Sequence, residues 1–265
     1  MLNLRRSHNR RVNMPGMWQR RGLAWAAGLG VAVVGVGSLA AVNWLRDPQH
    51  LPIREVRIAG DLRHLSPAHV QQAVIAEATG GFFSVDVDRI RAAVLGDPWV
   101  REVSVRRVWP DTLVVTVSEQ HPLAYWGTAA LINAEGAVFR PASEQFPAGL
   151  PLLTGPEGAQ VILLNRYRQL QAWFTPLGLR VRQVDLNPRR SWRFTVANDQ
   201  AGDVPLTVTG EIEVIVGRTE FDARVQRLIT AWPRTVGARE NEIAGVDLRY
   251  TNGFAVRLRR APPLS

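Results

Sequence analysis

The residue types that most often carry chemistry are sparse and scattered in this chain. There is no cysteine, and the five histidines stand at positions 8, 50, 64, 69 and 121. His64 and His69 share a local segment, but no carboxylate is clearly placed beside them, so no metal centre is expected. No Gly-x-Ser-x-Gly or Ser-x-x-Lys nucleophile pattern occurs in a supporting context. Gly28-Leu29-Gly30 is not a dinucleotide fingerprint, because it lies inside an apolar run with no strand before it. The expectation is a non-enzymatic protein with no catalytic residue, no metal, no cofactor and no small-molecule substrate. Recognition chemistry gathers instead near the C-terminus. Val246, Leu248 and Tyr250 alternate with polar residues, as do Phe254, Val256 and Leu258, around Thr251-Asn252-Gly253. A three-residue loop would pair Tyr250 with Phe254, Leu248 with Val256 and Val246 with Leu258, keeping the apolar residues on one face. It would place Gly253 in the left-handed conformation and Asp247 opposite Arg257.

The element that partitions the chain is Gly22–Leu45, 24 residues without an ionisable side chain, bracketed by Arg20-Arg21 and Arg46-Asp47. As a helix it would be roughly 36 Å long, enough to cross a hydrocarbon core of about 30 Å. It reads as one transmembrane helix, with Arg20, Arg21, Trp25 and Trp44 at the membrane interfaces. The formal net charge of +9 divides there: residues 1–46 hold seven arginines and no acid, and the rest of the chain is near neutral. That division argues against nucleic acid as a partner. By the positive-inside rule the basic head, residues 1–21, stays in the cytoplasm and everything after Arg46 is exported. Ser38-Leu39-Ala40 resembles a signal-peptidase site, but the head is long for a signal peptide and the apolar run continues beyond it. Ala24, Gly28 and Ala32 form a small-residue spacing that also arises by chance where Gly and Ala abound.

After the connector Asp47–Pro52 the pattern is strand, helix, helix, strand, strand. Val56 and Ile58 share one face of a strand that ends at Gly60. Ser66-Pro67 opens a helix carrying Val70, Ala73 and Val74, stopped by Gly80-Gly81. Asp86 or Ser84 caps a second helix carrying Ile90, Ala93 and Val94, broken at Gly96-Asp97-Pro98. Val103 and Val105 then pair with Val117 and Val115 across Trp109-Pro110-Asp111. Further on, a hairpin turns at Ala134-Glu135-Gly136. A helix from about Glu157 to Leu177 presents Leu163, Tyr167, Leu170, Phe174 and Leu177 on one stripe. Strands are expected at 180–187, 192–197, 206–209 and 211–216, and Thr219 is read as the cap of a helix bearing Phe221, Val225, Leu228, Ile229 and Trp232.

Ile53–Gly60, Gly80-Gly81-Phe82-Phe83, Pro98-Trp99-Val100, the run from Val105 through Trp109-Pro110-Asp111 to Val115, and the terminal run Val246–Val256 resemble the FtsQ/DivIB family of bacterial cell-division proteins. The resemblance implies an α+β fold: a transmembrane helix at 22–45, a POTRA domain (β-α-α-β-β) at 51–120, a β domain at 121–260 with an extended antiparallel sheet and two helices, and a tail at 261–265. It implies a type II single-pass inner-membrane protein with a periplasmic C-terminal region, located at the division septum. Implied partners are FtsB and FtsL, with FtsK, FtsW and FtsI as further candidates, and the implied mode is strand addition to an exposed sheet edge. The edge expected is Phe254–Leu258. Arg249, Tyr250, Asn252, Gly253, Phe254, Ala255, Val256 and Leu258 are the partner-binding candidates, joined by Arg189 and Arg190 for acidic partner residues. A POTRA-bearing module that binds envelope or secretion client proteins is the alternative reading.

Overall fold

The structure, a computed structural model, describes residues 17–47, 49–198 and 210–259. The first element is α1, Met17–Arg46, 30 residues long. Its side chains are described from Leu29 onward, and the aliphatic ones there are exposed, from Leu29 at 71% to Leu45 at 39%. Among the described residues no helix is long and apolar enough to cross a membrane. The side chains of Arg20, Arg21 and Trp25, expected at an interface, lie outside the described residues, as do the head before Met17 and the tail 261–265. Trp44 is half exposed, with its ring 4.9 Å from that of His50.

Strand β1 (Glu55–Ala59), helices α2 (Pro67–Glu77) and α3 (Val87–Leu95), and strands β2 (Val100–Val108) and β3 (Thr112–Glu119) follow in the expected order. They form a three-stranded sheet, β1-β3-β2, with β1 parallel to β3 and β2 antiparallel to it. The predicted register holds: Val103 faces Val117 and Val105 faces Val115. Val70 and Val74 of α2 and Ile90 and Val94 of α3 are buried against this sheet. Ser66 has extended backbone before Pro67 but makes no side-chain cap bond. Asp86 does cap α3, accepting from the amides of Asp88 and Arg89, while Ser84 Oγ accepts from Gly81 N at 2.8 Å. α2 ends at Glu77, ahead of the glycines, because Ala78 already departs from helical geometry.

The second sheet has nine described strands in the order β12-β11-β10-β9-β8-β7-β4-β5-β6. These are β4 (Pro122–Trp126), β5 (Ala130–Asn133), β6 (Val138–Phe139), β7 (Leu152–Thr154), β8 (Leu179–Leu186), β9 (Trp192–Asn198), β10 (Ile212–Gly217), β11 (Ile243–Asp247) and β12 (Ala255–Leu258). The sheet is mixed, which corrects the antiparallel expectation: β4 with β7, β7 with β8 and β10 with β11 are parallel. The reason is connectivity. Helix α4 (Gln160–Phe174) carries the chain from β7 to β8 and α5 (Phe221–Ala231) carries it from β10 to β11, and a helical crossover returns a strand in the same direction. Both helices cover one face, since Phe174 packs edge-on against Phe194 of β9 and against Trp232 just beyond α5.

Smaller expectations shift as well. α4 begins at Gln160 rather than Glu157 because Pro156–Ala159 forms a turn, Ala159 N donating to Pro156 O, with Gly158 at φ 84°. It continues as a tighter helical turn through Leu177 to Gly178, left-handed at φ 74°. The residue before α5 is Glu220, at φ 54°, and not Thr219; its carbonyl accepts from Arg224 N. The strand expected at 206–209 lies outside the described residues.

The two sheets share a core. Leu131 of β5 and Phe139 of β6 are buried among Trp99, Val100 and Leu113 of the first unit. Across the same seam Trp99 Nε1 donates to Gln145 Oε1 at 2.9 Å and Asn133 Nδ2 donates to Gln120 Oε1 at 2.9 Å.

Candidate functional site

β12 is the outermost strand of the larger sheet among the described residues, and it pairs on one side with β11. All four of its residues are exposed: Ala255, Val256, Arg257 and Leu258. The amide of Arg259 donates to Glu242 O at 2.7 Å, which turns that amide toward the β11 side. Strand alternation then turns the amides of Arg257 and Ala255 the same way and leaves those of Val256 and Leu258 pointing outward. Among the described residues no strand pairs with the outer rim of β12, which presents a row of outward backbone groups, the template for strand addition.

The register inside the hairpin corrects the sequence expectation. Val246 faces Val256 and Asp247 faces Ala255, while Gly245 faces Arg257 and Ile243 faces Leu258 past a bulge. Leu248 is buried, donates from its amide to Ile215 O of β10, and lies beyond the last residue of β11 that pairs with β12, Asp247. The loop therefore runs from Leu248 to Phe254, and Gly253 is not left-handed. Asp247 does not face Arg257. Its carboxylate is gripped by Arg249, with Nε 2.9 Å from Oδ1 and Nη2 2.6 Å from Oδ2. The Arg249 hydrogen bonds hold the Asp247 carboxyl below its usual range, against a smaller opposing effect of burial.

Arg257 finds a different partner. It reaches over Gly245 to Glu213 of β10, Nη2 to Oε2 at 2.8 Å, and Glu213 also meets Arg193 of β9, Oε1 to Nη1 at 3.1 Å. Gly245 makes this crossing possible, because a Cβ there would sit 3.0 Å from Arg257 Nη2 and 3.1 Å from Glu213 O. Glu213, Gly245, Asp247, Arg249, Val256 and Arg257 line a shallow depression of about 300 Å³ beside the edge. Tyr250 is 59% exposed, Asn252 is exposed, and Phe254 is half-buried against the core. Arg227 Nη1 donates to Thr251 O at 3.1 Å and steadies the loop from α5.

Arg249 through Leu258 are thus brought together at one edge. Arg189 and Arg190 are exposed in the β8–β9 turn, Arg190 at φ 61°. The ladders place that turn at the same end of the sheet as the 248–254 loop, but three strands from β12, a separation of about 14 Å. Among the described residues no group of three His, Asp or Glu is gathered as metal ligands would be. His64 is occupied structurally: its ring stacks on Trp99 at 3.9 Å and Nδ1 lies 3.3 Å from Glu119 Oε2.

Residues 51–120 match the family model for the FtsQ-type POTRA domain, and residues 124–249 match that for the C-terminal part of cell division protein FtsQ/DivIB. Similar chains run across both units. Cell division protein FtsQ of Bordetella pertussis is 36% identical over 245 residues, 89% of this chain and 90% of its own. The chain belongs to the FtsQ/DivIB family. Cell division protein FtsQ of Coxiella burnetii is 33% identical over 222 residues, covering 84% of this chain and 86% of that one. That of Burkholderia pseudomallei is 36% identical over 222 residues, covering 82% and 84%.

The FtsQ/DivIB C-terminal model stops at residue 249, just short of the outer strand. Glu213, Arg193 and Gly245, which set the electrostatics of that strand, were missed from the sequence. Arg257 was seen only as a partner for Asp247. The signal was faint: a glycine in an otherwise β-rich run, with an arginine on the facing strand.

Proposed function

We propose that this protein is a docking scaffold of the bacterial division machinery, anchored in the inner membrane by residues 22–45 and acting by binding alone. The cytoplasmic head and the periplasmic position of both folded units follow from the arginines before the apolar run. The aliphatic residues from Leu29 to Leu45 support the anchor, since they are exposed and belong to neither core among the described residues. The partners implied by the family resemblance are FtsB and FtsL, through which the scaffold would link early division proteins to septal peptidoglycan synthesis at the division septum.

One observation carries the docking mode: among the described residues β12 is the last strand of the sheet, with four exposed residues and an outward row of backbone groups. A partner segment would add as a further strand there. Tyr250 and Phe254 would serve as apolar contacts beside it, and Arg249, Arg189 and Arg190 as sites for acidic residues. Val256→Pro removes an outward amide while leaving the amides that face β11 intact. The expected outcome is loss of capture of an FtsB-like partner by a variant with an unchanged circular dichroism spectrum and melting curve. Full capture by that folded variant would remove β12 as the docking edge. Ala255→Pro, which strikes an inward amide, should instead loosen the β11–β12 hairpin itself.

A further inference from the structure

A second surface, on the opposite unit, is built for a different neighbour. The β2–β3 hairpin ends at Trp109-Pro110-Asp111; Trp109 is 74% exposed, the most exposed large apolar residue outside α1 among the described residues, and Val108 beside it is 38% exposed. Phe83, 48% exposed, stands edge-on to the buried Phe82. The chain segment arriving from α1 ties these two places together. Leu51 O accepts from Phe82 N at 2.8 Å, Pro52 bridges Gly81, and Arg54 N donates to Asp111 O at 2.9 Å. Arg107 from β2 closes the gap on the other side, Nη2 donating to Val85 O at 2.6 Å. Phe83, Val108 and Trp109 therefore share one end of the domain, the end at which the chain leaves α1.

The tether to that end is short. Leu51 lies five residues beyond Arg46, a reach of about 17 Å when fully extended. It is drawn in further by a turn in which the amides of His50 and Leu51 both lie toward Asp47 O. Exposed Arg106 and Arg107 precede the aromatic tip on β2, and exposed Arg54 is joined to the tip through its amide bond to Asp111 O. Acids stand in these segments too: Asp111, Glu55, and Asp86 and Asp88 just beyond Phe83, with Glu55 held by Arg57, Nε 2.7 Å from Oε1, and Asp86 occupied in capping α3. An exposed indole and phenyl ring with exposed arginines on the adjoining segments suit the headgroup zone of a bilayer, where amphipathic rings settle and arginines meet phosphates.

We propose that this end of the POTRA domain lies on the phospholipid surface, with Trp109 and Phe83 inserted at headgroup depth. The inference rests on the reading of residues 22–45 as a membrane span. Docking would fix the POTRA domain against the bilayer and leave the larger sheet as the part that reaches away from it.

The chain has no cysteine, so single labels can be placed without background. The full chain would be reconstituted in phosphatidylethanolamine–phosphatidylglycerol nanodiscs carrying a fluorophore on Val108→Cys, with quenchers set shallow or deep in the lipid. The expected result is quenching by the shallow quencher, lost in the Trp109→Glu, Phe83→Glu double variant. Trp109 is 74% exposed and Phe83 about half exposed, and neither belongs to a buried core cluster, so the fold should survive. A fluorophore on Leu39→Cys reads the span separately and should respond to the deep quencher in both backgrounds. An unquenched label at 108 with a quenched label at 39 would overturn the docking and leave the anchor standing, pointing to a protein neighbour for Trp109. An unquenched label at 39 would overturn the anchor and the docking together.

Discussion

Glu119 shows how one side chain fixes a loop. It is buried at the end of β3, and its Oε1 accepts from the amides of Arg63, His64 and Leu65 at 3.0, 3.0 and 2.6 Å. Burial pushes its carboxyl upward, but the bonds from Leu65, Arg63 and His64 outweigh that and hold it below the usual glutamate range. The folded protein therefore binds fewer protons here than the unfolded chain does. The resulting stability is present above the ordinary glutamate pKa of about 4.3 and is lost as pH falls through the lower folded value. Glu119→Gln keeps the shape and removes the charge, so it should cost about 1–3 kcal/mol at neutral pH. The gap between the two proteins should close as the pH drops well below about 4. Urea unfolding at both pH values measures it, and a gap that does not change with pH would show that the carboxylate charge is not the source. Nothing in the sequence marked Glu119, because its three donors lie more than 50 positions away in an irregular loop.

At the level of elements, the POTRA strands and their register were legible because valines alternate cleanly across a short turn. The outer hairpin was legible in location but not in register. Pairing Leu248 with Val256 and pairing Val246 with Val256 differ by two residues, and a shift of two leaves every side chain on its own face. Alternation cannot separate them. What goes with the observed register is not in the alternation: Leu248 is bonded to β10, and Arg249 folds back locally onto Asp247. The parallel ladders were hidden for a related reason, since periodicity identifies a strand without giving its direction. Gly245 offers a test of the observed arrangement. Gly245→Val would drive a side chain into the Arg257 guanidinium and toward Glu213 O. Such overpacking costs about 1–3 kcal/mol. It should release Arg257 from Glu213 and speed hydrogen exchange in β12 while β8 and β9 stay protected. Unchanged exchange at Ala255 and Arg257, whose amides face β11, would mean that the Gly245 crossing does not hold the edge in place.

Across the whole molecule, the two units are joined by packing rather than by a linker. β5 and β6 belong to the larger sheet, yet Leu131 and Phe139 complete the core of the smaller one, with the Phe139 ring edge-on to Trp99 at 5.4 Å. From β5 to β12 the sheet order passes through seven strand spacings, about 34 Å. The proposed docking edge at one end is thereby held at a fixed distance from a unit tethered near α1 at the other, a geometry that a flexible joint would lose. The seam should therefore be cooperative. Phe139→Ala would leave a cavity beneath Trp99 and lower stability by about 3–5 kcal/mol. Because the ring serves both units, amides in β3 and amides in β9 should lose protection together in native-state hydrogen exchange, and the two should share one denaturant midpoint in the parent protein. Loss of protection confined to β4, β5 and β6, with β3 unaffected, would mean that the units fold independently and that the distance from tether to edge is not fixed by this seam.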